Sequence, residues 1–219
     1  MTSWHCWSPD RVQEKITAGA LALRQTLPTG AAAKLEHLLS ELARWNRRIN
    51  LTAIRKPAEM IAAHILDSLS VRPLLEGSRI IDIGTGAGFP GLPLAIAEPQ
   101  REYLLLDSNG KKIRFVQHMI SELKLENATA VKSRAEDYAP DERFDTVIAR
   151  ALAALPRLIE LAGHLLLRNG VLLAQKGKYP AAELAGLPEK WEYRVTELSV
   201  PGLPQHARHV VCLHRAGRQ

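Results

Sequence analysis

The chain has 219 residues, 46% of them hydrophobic and 24% charged, with 29 Lys and Arg against 23 Asp and Glu. That balance describes a globular protein of one compact domain, or one domain with a small appendage, and it excludes intrinsic disorder and collagen-like repetition. No apolar run reaches the roughly 18 residues of a membrane span, the first ten residues lack the apolar core of a secretory signal, and the two cysteines, Cys6 and Cys212, form no CxxC pair, so a cytosolic protein with reduced thiols and no metal is expected.

In chain order, Arg11–Leu23 reads as a first helix. From Lys34 to Ile49 the apolar positions Leu35, Leu38, Leu39, Leu42, Trp45 and Ile49 follow the helical period, which predicts an amphipathic second helix. Pro57–Leu69 reads as a third, with proline in its first turn. Residues 1–76 are thus expected to be a helical region, and residues 77–219 a second unit of different character. In that second unit Arg79–Ile83, Tyr103–Leu106, Thr129–Val131, Thr146–Ala149 and Val171–Ala174 are short apolar runs separated by helical stretches. Strands alternating with helices predict a parallel sheet covered on both faces. Trp191–Val200 and His209–His214 follow, joined through Pro201-Gly202-Leu203-Pro204 with no helix between them, which predicts an antiparallel hairpin completing seven strands. The fold class is α/β, doubly wound and mostly parallel, with a helical N-terminal extension.

Charge is partitioned along this plan. Lys and Arg exceed Asp and Glu by three over residues 1–76, balance over 77–169, and exceed by three over 170–219. The stretch 44–56 holds Arg44, Arg47, Arg48, Arg55 and Lys56, no acid, and Trp45. Cations that neutralise phosphates beside a ring that stacks on bases suit a polyanion, which makes Arg47 and Arg48 candidate RNA contacts; a solvated helix face with Trp45 in the core is the competing reading.

The most informative segment is Ile80-Ile81-Asp82-Ile83-Gly84-Thr85-Gly86-Ala87-Gly88-Phe89-Pro90-Gly91, an apolar strand entering a glycine-rich turn and then a helix over Leu92–Ala97. Ligands of doubly wound sheets bind at such a turn. Asp82 precedes the first glycine, where a carboxylate meets a cationic amino group, and Asp107 ends the second strand, placed to accept from ribose hydroxyls. Gly86–Gly91 satisfies GxGxxG, the pattern of a dinucleotide site, but a pyrophosphate would be repelled by Asp82 and no second mononucleotide half is evident. No Gly-Lys-Ser/Thr follows, which excludes a P-loop. An acid before Gly84, Gly86 and Gly88 and another after the second strand fit S-adenosylmethionine, which carries an amino-acid end and a ribose but no phosphate.

At these residues the chain resembles the class I S-adenosylmethionine-dependent methyltransferases. More narrowly it resembles the ribosomal RNA small-subunit methyltransferase G family, also called glucose-inhibited division protein B. The matching segments are Asn50–Ile54, His64–Leu69, Asp82–Gly91, Leu105–Ser108, Ser133–Glu136, Ile148–Ala151, Lys176-Gly177 and Arg208–Val211. The resemblance implies N7-methylation of a guanine in 16S ribosomal RNA by a bacterial cytoplasmic enzyme. It places cofactor contacts on Gly84, Phe89, Ala135, Glu136 and Arg150.

The residues also restrict the methyl acceptor. Neither cysteine sits at a strand end facing the loop, which argues against C5 methylation of a pyrimidine through a covalent adduct. An Asn/Asp-Pro-Pro-aromatic turn, usual for exocyclic amines, is replaced by Ala149-Arg150-Ala151-Leu152. Guanine N7 attacks through an in-plane lone pair and needs no general base, so no catalytic residue is named and catalysis is positioning. Glu136 is a candidate for the adenine amino group. Phe89 packs either on the cofactor or against the core, Arg150 takes a cofactor or phosphate role or forms a salt bridge, and Lys176 and Arg208 are candidates for the RNA edge. His64 and Asp67, three apart, are expected to pair and fix the helical region over the cofactor. The expected partner is 16S RNA or the small ribosomal subunit, and the expected state a monomer. A small-molecule or protein methyltransferase and a non-catalytic RNA-binding assembly factor are the alternatives.

Overall fold

The computed structural model describes residues 8–203 and 208–217. The Trp4–Trp7 segment with Cys6, and Pro204 and His206, lie outside the described residues.

α1 (Pro9–Ala22) starts where the Ser8 hydroxyl accepts from the Arg11 amide and Pro9 fills the first turn. It buries Val12, Ile16, Gly19 and Ala20, one face at helical spacing. α2 (Ala31–Trp45) buries Leu35, Leu38, Leu39 and Leu42. It ends four residues before the predicted limit because the Asn46 side chain diverts the backbone: its Oδ1 accepts from the amides of Leu51 (2.8 Å) and Thr52 (3.0 Å), and its Nδ2 donates to the Thr52 carbonyl (2.9 Å). The third helix is composite. α3 (Pro57–Met60) opens into a π-helical stretch, Ile61–Leu66, and closes as α4 (Asp67–Leu69). A π-turn admits an extra residue into the ladder and often marks a functional segment.

Seven strands follow: β1 (Arg79–Ile83), β2 (Glu102–Asp107), β3 (Ala128–Lys132), β4 (Phe144–Arg150), β5 (Leu166–Lys176), β6 (Trp191–Glu197) and β7 (His209–Arg215). They form one sheet in the order β3-β2-β1-β4-β5-β7-β6, with β7 antiparallel to both β5 and β6 and the other pairings parallel. The expected doubly wound architecture and terminal hairpin are present. Apolar residues alternate between faces: Ile80, Leu105, Ile148 and Leu173 join the core beneath α1, α2, α5 (Gly91–Ala97) and α6 (Gly110–Glu122), while Ile81, Ile83, Val147 and Leu172 join the core beneath α7 (Leu155–Ala162) and α8 (Ala181–Ala185). The first of these cores runs from Val12 to Cys212, so the helical region and the sheet share one continuous interior. Cys212 is a buried free thiol whose pKa burial pushes up.

Candidate active site

β1 pairs with β2 on one side and β4 on the other, so the chain changes direction across the sheet at β1, the place where open α/β sheets bind ligands. The loop after Ile83 leaves that edge with Gly84, Gly86 and Gly88 all in the left-handed region, φ 66°, 61° and 88°. Its carboxylates hold it open. Asp82, 1% exposed, accepts through Oδ2 from the Thr85 hydroxyl (2.6 Å) and the Gly91 amide (2.8 Å). Its Oδ1 is buried without a donor. Burial pushes the pKa up to about 6, against the pull of those two hydrogen bonds and of Arg150. Asp107 accepts from the Gly86 amide (2.9 Å) and the Asn109 amide (2.8 Å), which fixes its carboxylate at the end of β2.

These features fit S-adenosylmethionine. A buried acceptor oxygen without a donor costs free energy until a cation or N–H reaches it, and an ammonium group is such a donor. A loop of left-handed glycines lets the backbone approach a nucleoside closely. Asp107 is oriented from both sides while keeping lone pairs for hydroxyl donors.

The next layer comes from the helical region. Phe89 is 3% exposed and stacks on His64, with Arg150 Cζ 5.8 Å from its ring centroid. Its side chain therefore closes the loop against the helices. His64 Nε2 bonds the Thr52 hydroxyl (3.0 Å), and burial together with the Arg150 charge lowers its pKa to about 4, so the ring is neutral. Asp67 does not pair with His64 as expected. One turn apart in a π-helix is not one turn apart in an α-helix, and Asp67 instead accepts from Arg150 Nη1 (3.3 Å) and Arg208 Nε (3.0 Å). Arg150 also donates to the Ala63 carbonyl (3.1 Å) within the π-turn. The salt-bridge reading of Arg150 is thus realised, with its guanidinium beside the loop.

Of the remaining candidates, Ala135 is half-buried against the second core and Glu136 is exposed, 3.7 Å from Arg134, both beyond β3 at the same sheet edge. Arg47 and Arg48 are exposed at the end of α2. Lys176 is a correction. Its side chain is 13% exposed and Nζ is held by the Ala153 carbonyl (2.8 Å) and Glu183 (2.7 Å), which leaves it facing inward rather than toward an RNA backbone. Among the described residues no cluster of His, Cys, Asp and Glu could hold a metal ion, and no helix is long and apolar enough to cross a membrane.

Sequence reasoning missed Thr85, which caps Asp82, and Leu152, whose Cδ1 lies 2.7 Å from where a Cβ on Gly84 would stand. Ala151, at φ 52°, is the left-handed residue that turns Leu152 back over the loop. It also missed Asn46, although Asn beside a helix end is a recognisable turn signal.

Comparison with known proteins agrees with this geometry. A family model described as GidB, rRNA small subunit methyltransferase G, matches residues 31–211. Ribosomal RNA small subunit methyltransferase G of Idiomarina loihiensis is 48% identical over 81% of this chain and 86% of its own length. The protein of that name from Haemophilus influenzae is 48% identical over 82% and 89%. Among solved structures, a SAM dependent methyltransferase from Aquifex aeolicus superposes with a TM-score of 0.53 over 72% of this chain and 93% of its own, at 19% identity, a likeness of fold alone.

Proposed function

The chain belongs to the rRNA small subunit methyltransferase G family, and from that premise we propose that it methylates N7 of one guanine in 16S ribosomal RNA with S-adenosylmethionine, acting as a monomer in the cytoplasm. The observation that carries the site is the donorless Oδ1 of Asp82 beneath a loop of left-handed glycines at the sheet's switch point.

When bound, the cofactor supplies a methyl group activated on a sulfonium. The chain's own residues do the rest by placement. Asp82 receives the amino-acid end, Asp107 the ribose hydroxyls, and the backbone of Gly84, Gly86 and Gly88 the body of the nucleoside. Ala135 and Glu136 border the adenine. Phe89, clamped by His64, keeps the loop from collapsing into the space it borders. Arg150 is held beside it by Asp67, and Arg208 borders the same edge from the start of β7. Arg47 and Arg48 take RNA phosphates. Guanine N7 has a lone pair in the ring plane, so no side chain has to remove a proton, and rate comes from holding N7 in line with the methyl group and excluding water.

The test is transfer of a tritiated methyl group from S-adenosylmethionine to 16S RNA isolated from cells lacking the activity, with the labelled nucleotide mapped by mass spectrometry. Label at a guanine N7 is expected. Label only on protein or a small molecule, or none, would remove the reading.

A further inference from the structure

A cavity of about 420 Å³ lies at the C-terminal end of α2, apart from the glycine loop, lined by Arg44, Trp45, Arg47, Arg48 and Ile49. We propose that this cavity binds one unpaired nucleotide of the substrate RNA, its base against Trp45 and its phosphate between Arg47 and Arg48, as an anchor distinct from the guanine that is methylated. The proposal rests on the RNA reading above and names where a second nucleotide is held.

Three observations carry it. The first is size and lining: the volume is that of a small-molecule pocket, and its lining combines guanidinium groups with an aromatic and an aliphatic side chain. Such a surface suits a base with its phosphate better than a bare polyanion, because bases stack on aromatic rings while guanidinium groups meet phosphate.

The second is charge. Arg44 is bonded to Glu41, which His118 also meets at 3.1 Å, so that guanidinium is partly neutralised. Among the described residues no carboxylate pairs with Arg47 or Arg48, both exposed, so their charges are free for an external anion.

The third is rigidity. Trp45 is not a loose surface ring. His118 backs it at 5.0 Å between centroids and Phe115 meets it edge-on at 5.5 Å. From Trp45 the chain passes directly into the Asn46 turn, whose Thr52 hydroxyl bonds His64, which stacks on Phe89 of the glycine loop. An RNA nucleotide seated at Trp45 is thereby placed at a fixed distance from the cofactor loop, a geometry that orients the rest of the strand.

The test measures binding of a single-stranded 16S RNA fragment containing the guanine to be methylated to the full chain, across a series of salt concentrations. Replacing both Arg47 and Arg48 with Ala should weaken binding and flatten the slope of log affinity on log salt by about 0.7, the one phosphate that the two guanidinium groups share. Trp45→Leu, which keeps apolar mass against Phe115, should weaken binding about five- to hundredfold at every salt concentration with the slope unchanged. Cofactor affinity, measured by calorimetry, reports that each variant is folded. Wild-type affinity and slope in the arginine variant would overturn the anchor while leaving the RNA reading intact. A loss in Trp45→Leu that vanishes at high salt would overturn the stacked base. A wild-type chain that binds no RNA overturns the reading beneath, and the anchor with it.

Discussion

Phe89 and His64 stack with ring centroids 4.6 Å apart and planes 19° from parallel. One residue belongs to the glycine loop and the other to the π-turn, so the contact joins the ligand-bearing edge of the sheet to the helices before it. Burial in that contact, with Arg150 nearby, keeps the imidazole neutral.

The neutral imidazole makes stability depend on pH with a definite sign. His64 titrates near 6.5 in the unfolded chain and near 4 in the folded one. The unfolded state therefore binds a proton first as pH falls, and the contribution of the neutral ring is lost between about 6.5 and 4, on the order of 3 kcal/mol in all. Asp82 acts in the opposite direction over much of this window, since its pKa is raised on folding and its cost grows as pH rises toward about 6. Urea unfolding of wild type and His64→Gln separates the two. The stability gap between them should narrow by roughly 3 kcal/mol from pH 6.5 to 4; parallel curves would show that His64 is not the titrating group.

Asp82 also ties cofactor binding to pH. The free carboxyl is about half ionised near pH 6, and a cationic amino group binds the ionised form. Affinity for S-adenosylmethionine should therefore be highest near pH 7, between the titration of this carboxyl and that of the ligand's amino group at about 8, and fall about tenfold by pH 5. Asp82→Asn should bind more weakly at pH 7 and show no such fall. Calorimetry at both pH values reads this directly, and a variant that keeps the wild-type pH profile would assign the titration elsewhere.

The glycines of the loop differ in why they are glycine. At Gly84 a Cβ would stand 2.7 Å from Leu152 Cδ1, but Leu152 is 41% exposed and free to rotate away. The cost there is the left-handed backbone, about 1–2 kcal/mol for an alanine. At Gly91 a Cβ would meet Leu105 at 2.7 Å and Asp82 Oδ2 at 2.8 Å, both fully enclosed, so overpacking of about 1–3 kcal/mol applies and the carboxylate is displaced. Thermal unfolding should show Gly84→Ala destabilised and not restored by adding Leu152→Ala, whereas Gly91→Ala should lose cofactor affinity at least tenfold. Restoration of Gly84→Ala by the Leu152 change would mean that contact, not backbone strain, governs the position.

The sequence made much of this legible because its signals were local. The Asp82–Gly91 segment carries its own turn chemistry, and alternation of apolar runs with helical stretches was enough to place seven strands. What escaped depends on contacts distant in sequence. Nothing in the pattern from Pro57 to Leu69 distinguishes an α-helix from one opened at Ile61, because the extra residue is stabilised by Arg150 reaching the Ala63 carbonyl from 87 positions away. For the same reason helical spacing points Asp67 to His64, whereas in the fold it accepts from Arg150 and Arg208. Lys176 looked like a surface charge at a strand end until α8 brought Glu183 to it.

Asp67 is expected to be worth more than a surface ion pair. It is 4% exposed and accepts from two arginines that are each about a quarter exposed, one on β4 and one at the start of β7. Removing one partner of a largely buried pair leaves charge unsatisfied; allowing for solvent at the arginines, Asp67→Asn should destabilise the fold by about 1–3 kcal/mol. A double-mutant cycle with Arg208→Met should give a coupling on the order of 1 kcal/mol. Strict additivity would show that the Arg208 contact contributes nothing to folding.

Lys176 provides the complementary prediction, a cation at the ligand edge that acts on the fold. Its Nζ ties the Ala153 carbonyl, in the turn after β4, to Glu183 of α8, and the same carboxylate oxygen accepts from the Leu155 amide at 2.7 Å, at the start of α7. Replacing Lys176 with Met keeps the apolar stem but leaves Glu183 facing only the amide and the Ala153 carbonyl without a donor. Because Glu183 is 30% exposed, water offsets part of the loss, and a destabilisation of about 1–2 kcal/mol is expected. The salt dependence of RNA binding should be that of wild type, since a cation already bonded within the chain releases no counterions when RNA arrives. A slope flattened by about 0.7 in Lys176→Met would instead place this ammonium on a phosphate and reverse the assignment made from its hydrogen bonds.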